Sequence, residues 1–328
     1  MKAKEYLGLL LGAVYGVLIR LLMSPSEYAG KDLYDVFNIY SVAFIWVVPI
    51  GIGIIPIIIA KNEIMTSRLK QFVLPLLSVL LFFIVTLTMG IEDWLCILII
   101  AFPFLIAAGF TGLVAAYIIK RKNKNKLLSL VFLPILIAPI ENLFDNHTTL
   151  YQTESQIMIS AKDTLVWSYL IEVPEIKDSE YQKGLLQFIG VPRPIKSELI
   201  TIDEEAHRVG YFSEGLALYE TLSEVDVYRT VSFDVHIDKS VLRDTPTDRH
   251  ILKSNNFSFH DITYRIDSIA PGKTILNLKC TYEINSKMNW YAQFWADIII
   301  ADFEQRLLMA LKYKIENSGT PMTLRTNH

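Results

Sequence analysis

Four stretches near the start of the chain are apolar for longer than a soluble core requires: residues 6–23, 38–60, 72–90 and 94–119, with Arg20 their only charged residue. A hydrocarbon core takes about 20 apolar residues at ~1.5 Å of rise each, so each stretch reads as a transmembrane helix. The first has the position of a signal peptide, but it lacks a small-x-small cleavage site and three more apolar stretches follow it. A fifth stretch, 127–144, is marginal. Its apolar part ends at Ile140, and full length requires continuing through Glu141 and Asn142 to Phe144. It reads as a fifth span, with a peripheral or re-entrant segment as the alternative. The chain is 52% hydrophobic, high for a soluble protein of its size, and the excess lies in residues 1–144.

Charge placement orients these helices, because cytoplasmic loops collect Lys and Arg. Lys2 and Lys4 precede the first span. Lys61, Arg68 and Lys70 follow the second, and Lys120, Arg121, Lys122, Lys124 and Lys126 follow the fourth. The loops between, with Glu27, Lys31, Asp32 and Asp35, then Glu92 and Asp93, are acidic or balanced. Five spans therefore predict a multi-pass protein of the plasma (inner) membrane, with a cytoplasmic N-terminus and residues 145–328 outside the cytoplasm. Within the spans Arg20 and Glu141 lie near helix ends, where a long side chain reaches water. That is the pattern of an anchor rather than of an ion path. Gly8, Gly12 and Gly16 share one face of the first span, a spacing that permits close helix approach.

From residue 152 the hydrophobic period changes to two. A short strand at 155–160 precedes a helix beginning at Lys162 and stopped by Pro174. A second helical stretch at 179–189 ends in Gly190-Val-Pro-Arg-Pro194. Strands follow at 196–203, 208–212, 216–225, 228–237, 258–269 and 274–284, separated by turn residues as in antiparallel hairpins. One helix, 289–317, ends the domain, and 318–328 reads as a flexible tail. This is an α+β order, in which a broad apolar stripe on the last helix covers the concave side of a curved sheet.

The pattern Ala161, Val166-Trp167, Leu170 and Val173-Pro174 resembles the first strand and helix of the SRPBCC, or START-like, helix-grip superfamily. Leu218-Tyr-Glu-Thr-Leu-Ser-Glu-Val-Asp226 resembles its central hairpin. Asn289 to Glu316 resembles the terminal helix of its polyketide cyclase and lipid-transport branch. The resemblance covers about residues 152–317 and none of the membrane half. It implies a sheet wrapped around the C-terminal helix and a cavity for lipids, polyketides or other apolar small molecules. It does not imply catalysis, because function belongs to the site and not to the fold.

Alternation places Glu220 on the face of Leu216, Leu218 and Leu222. There it is either a desolvated carboxylate, able to hold a polar headgroup or act as an acid, or one partner of an ion pair with a neighbouring strand. His260 alternates with Ile262, Tyr264 and Ile266 toward the interior, whereas His236 shares the opposite face with Ser232 and Asp234. With Tyr291, Trp295 and Ile298 of the final helix, the candidate cavity residues are Leu218, Glu220, Leu222, His260, Tyr264, Tyr291, Trp295 and Ile298.

No catalytic residue is assigned. The six histidines show no paired-ligand spacing, and the only cysteines, Cys96 and Cys280, form neither a disulfide framework nor a thiolate zinc site. Phosphate-loop, dinucleotide and nucleophile-elbow motifs are lacking, so no cofactor is expected. A net charge of −3 without a basic stripe excludes nucleic acid as a partner. The expected partners are the bilayer and an apolar small molecule or lipid, bound for transport or sensing. The alternatives are a cyclase- or dehydratase-type enzyme and a filled interaction module.

Overall fold

The computed structural model describes residues 2–23, 41–121, 124–141, 143–202 and 205–318. Two compact units result: Met1–His147 with Ser286–Asn289, and Thr148–Asn285 with Trp290–His328. Asn38 to Tyr40 of the expected second span, and the expected tail beyond Ser318, lie outside the described residues.

In the helical unit α1 is Ala3–Met23. A π-helical stretch, Ala43–Val47, leads into α2 (Val48–Ile59). Then come α3 (Arg68–Thr88), α4 (Trp94–Lys120), α5 (Lys124–Val131) and α6 (Leu133–Glu141). Among the described residues three helices, α1, α3 and α4, are long and apolar enough to cross a membrane, and Ala43–Ile59 is a shorter apolar helix. Ser67 and Asp93 start α3 and α4 by accepting the Lys70 and Cys96 amide protons. The glycine face of α1 is the seam of the bundle. A Cβ on Gly12 would stand 3.0 Å from Ser78 Oγ and 3.1 Å from the Ile52 carbonyl, and one on Gly16 would stand 2.7 Å from Ile52 Cδ1.

Residues 127–144 do not form one continuous helix. The chain breaks at Phe132 between α5 and α6, because Pro134 has no amide proton to continue the ladder and disfavours helical geometry at Leu133. Even so, the pair follows the bundle lengthwise. Leu127 joins the cluster of Ala60, Ile64 and Ile119. The Tyr15 hydroxyl donates to the Val131 carbonyl (2.6 Å), and Glu141 accepts the Val42 and Ala43 amide protons (2.8 and 2.9 Å). Glu141 thus caps the start of the second apolar helix rather than reaching for water. Arg20 also departs from expectation. Instead of extending to solvent it pairs with Glu92 (Nε–Oε1, 2.6 Å), both side chains about 1% exposed, because Glu92 follows α3 at the same end of the bundle and matches its charge. At the opposite end Glu5 pairs with Lys70 (2.7 Å).

The second unit is a seven-stranded sheet in the order β1-β7-β6-β5-β4-β3-β2. Its strands are β1 (His147–Ile159), β2 (Pro194–Ile202), β3 (Glu205–Phe212), β4 (Ala217–Asp226), β5 (Thr230–Val241), β6 (Phe257–Ala270) and β7 (Lys273–Ser286). Neighbours from β2 to β7 pair antiparallel. Two short helices, α7 (Asp163–Ile171) and α8 (Leu185–Phe188), separate β1 from β2, and α9 (Asn289–Asn317) ends the fold. Leu307, Leu308, Leu311 and Ile315 of α9 are enclosed with Ile159, Leu170, Phe233, Tyr264 and Leu278. Each such burial contributes roughly 1.5–3 kcal/mol, which holds the second half of α9 firmly on the sheet.

Replacing Gly16 with leucine is expected to drive a branched side chain into Ile52 and Phe82. By the overpacking cost of about 1–3 kcal/mol, the detergent-solubilised variant should melt several degrees below the wild type in a thermal-shift assay. An unchanged melting temperature would show that the seam is not closed.

Candidate functional site

The inner face of the sheet holds an ion pair that its register creates. Arg208 on β3 lies opposite Glu220 on β4, with both side chains on the covered face. Arg208 Nε donates to Glu220 Oε2 at 2.5 Å, and Nη1 donates to the Leu170 carbonyl of α7 at 2.7 Å. The guanidinium stacks 3.6 Å from the Phe233 ring centroid, a favourable cation–π placement in a desolvated site. Glu220 is therefore the ion-pair partner that the sequence left as one of two readings. Tyr264 completes the group. Burial pushes its phenol above the ordinary value, while a hydrogen bond with Arg208 and the positive charge there act in the opposite sense. Burial tends to lower the Arg208 value, but the charges and hydrogen bonds of Glu220 and Tyr264 together more than offset it and the net direction is upward.

A second buried carboxylate lies on α9. Glu304 is enclosed and accepts the Thr153 and Ser155 hydroxyl protons from β1, each at 2.8 Å. Desolvation raises its pKa, and the two hydroxyls and the Cys280 backbone oppose that shift in part. These bonds fix the rotation of α9 about its axis over β1 and β7. A lone glutamate among Ile300, Phe303, Leu307 and Leu308, at helical spacing, was the available signal for this position.

The candidate residues divide into groups. Leu218, Glu220 and Tyr264 are buried together with Arg208, a position that strand alternation alone does not mark. Leu222 pairs with Phe233 but is partly exposed, because β4 is uncovered from there to its end. His260 departs from its expected inward position. A bulge between Phe259 and Asp261 shifts the phase of β6, so Phe257 and Phe259 pack against the cluster around Tyr282. The imidazole is left 60% exposed, 3.7 Å from Asp261. His236, on the outer face, bonds Thr221 at 2.8 Å.

Tyr291, Trp295 and Ile298 lie on the first half of α9, which is held differently from the second. Ala292, Ala296 and Ile300 press on Cys280, Tyr282 and Ile284 of β7. About 60° round the helix, Trp295, Ile299 and Phe303 form a parallel line that is only half-buried. Phe303 meets the Phe212 ring of β3 at 5.8 Å, so this line borders the β3 side of the sheet. Tyr291 is buried, which raises its phenol. Beside the line, Gln187 of α8 reaches Asp302 at 3.4 Å, while Leu185 and Phe188 are exposed. Arg243 ties the nearby loops together, bonding Asp248 (2.7 Å), Glu214 (2.7 Å) and the Gly190 carbonyl (3.1 Å).

No family model matches the chain, and no curated protein does. Similar solved structures include the Zhui aromatase/cyclase from Streptomyces sp. R1128 (13% identity, TM-score 0.33, 52% of this chain and 95% of that one). A START superfamily protein from Mycobacterium smegmatis aligns at 8% identity and TM-score 0.36, covering 51% and 98%. Norcoclaurine synthase from Thalictrum flavum, solved with dopamine and hydroxybenzaldehyde, aligns at 10% and 0.32, covering 54% and 91%.

Two outcomes follow for the buried carboxylates. Arg208→Met should destabilise the domain by about 3–5 kcal/mol by leaving a buried charge, and adding Glu220→Leu should recover most of it. Chemical denaturation checks this, and equal losses in single and double variants would contradict it. Glu304 has a folded-state pKa above the ordinary 4.5, so the folded state keeps a proton that the unfolded state has released. Stability due to this group is therefore full below about 4.5 and lost as pH rises through the folded value. Glu304→Gln should flatten the decline in melting temperature as pH rises above 4.5, and parallel curves would exclude it.

Proposed function

We propose that the sheet domain binds an apolar small molecule, such as a lipid, between the first half of α9 and the inner face of β3, β4 and β5, and that the apolar helices anchor it to a membrane. The observation that carries this reading is the contrast along α9. Its second half is enclosed in the core, whereas Trp295, Ile299 and Phe303 remain half-buried beside the exposed Leu185 and Phe188. Half-buried aromatic and aliphatic rows next to a few fixed polar groups are the lining of a small-molecule site. Trp295, Tyr291 and Leu218 are assigned to that lining.

The Arg208–Glu220 pair serves as a neutral, rigid floor in this account. Its charges are matched internally, which favours binding over acid catalysis. The topology proposed is a cytoplasmic N-terminus with the sheet domain on the opposite side. It is supported by the basic loops at 61–70 and 120–126, by the lengthwise course of α5 and α6, and by Glu141 at the start of the second apolar helix.

Organic extraction and mass spectrometry of the purified full chain should recover an apolar molecule near one equivalent. Ile299→Trp, which fills the space bordering the line, should reduce recovery at least fivefold while the melting temperature stays within a few degrees. Empty wild-type protein, or undiminished recovery from a folded Ile299→Trp variant, would overturn the reading.

A further inference from the structure

The first half of α9 carries a second apolar row that the ligand site does not use. Trp290, Phe294 and Ile298 recur at every fourth residue and are 66%, 54% and 42% exposed. Such a row on a helix otherwise packed into a core is an unpartnered face. Three observations say what covers it. The residues just before it, Ser286–Asn289, cluster with Met1–His147 as one unit. Within that unit the Lys287 ammonium donates to the Glu141 carbonyl at the end of α6. The Asn289 amide donates to the His147 carbonyl at the start of β1, at 2.6 Å. Only residues 142–146 separate Glu141 from His147, a stretch of at most about 20 Å.

We infer that the row Trp290, Phe294 and Ile298 seats in the interfacial layer of the bilayer, so that α9 is a membrane-docked helix at its first turns. Trp290 follows directly on Asn289, the last residue of this segment of the helical unit. Indole rings partition to the level of the lipid headgroups, and large apolar side chains on one face of a helix bury to the acyl boundary beneath them. The row thus supplies a contact with lipid beside the line of Trp295, Ile299 and Phe303.

The test uses the full chain in phosphatidylcholine and phosphatidylglycerol vesicles, with NBD attached at Trp290→Cys or Phe294→Cys. Lys273→Cys is the reference, exposed at the other end of β7 from Ser286 and about 45 Å away along the strand. The wild type, whose Cys96 and Cys280 are buried, provides the labelling blank. Doxyl-labelled lipid should quench NBD at 290 and 294 at least threefold more than at 273, with blue-shifted emission at both positions. Equal quenching at the three positions would overturn the inference, and so would a blue shift that rises with protein concentration without lipid quenching, which would assign the row to a protein partner or a second copy. Failure here leaves lipid recovery from the purified protein untouched, so it is distinguishable from failure of the proposed ligand site.

Discussion

The attachment of the second half of α9 to the sheet is the constraint on which the rest of the domain depends. Leu307, Leu308, Leu311 and Ile315 lock the helix into the core, and the Glu304 bonds to Thr153 and Ser155 set its rotation. Once that half is fixed, the direction of the first half is fixed too, since the helix continues from Asn289 to Asn317. Its three rows then have separate surroundings. Ala292, Ala296 and Ile300 meet β7, the line of Trp295, Ile299 and Phe303 borders the β3 side, and Trp290, Phe294 and Ile298 face outward.

Two kinds of buried charge serve two purposes. The Arg208–Glu220 pair is compensated by opposite charge, a ring face and a carbonyl, and it gives β3, β4 and α7 one defined register. Glu304 is compensated only by neutral donors, so its burial carries a pH-dependent cost that the hydrophobic half of α9 must exceed. In the helical unit the Arg20–Glu92 and Glu5–Lys70 pairs close opposite ends of the bundle. The polar groups there act as end ties.

Much of this was legible in the sequence because periodicity reports burial directly. Apolar runs marked α1, α3 and α4. Alternation marked β4 to β7, and the stripe marked α9. Features that depend on a partner distant in the chain were not legible. Arg208 meets Glu220 through a hairpin register, and Glu92 meets Arg20 across the bundle. Single-residue phase changes also escaped: the bulge at Phe259 to Asp261 turns His260 outward, and Pro134 breaks the run at Phe132. β1 begins at His147 rather than near residue 155, because its first residues are polar and exposed and carry no hydrophobic alternation.

The central claim is that protein side chains leave a space beside the first half of α9 for an apolar molecule. An electron cryomicroscopy map of the full chain in lipid nanodiscs tests it most directly. The account predicts continuous, elongated non-protein density between the Trp295, Ile299 and Phe303 line and the inner face of β3 to β5. Closure of Trp295 and Ile299 against Leu218, with no density between them, would contradict it.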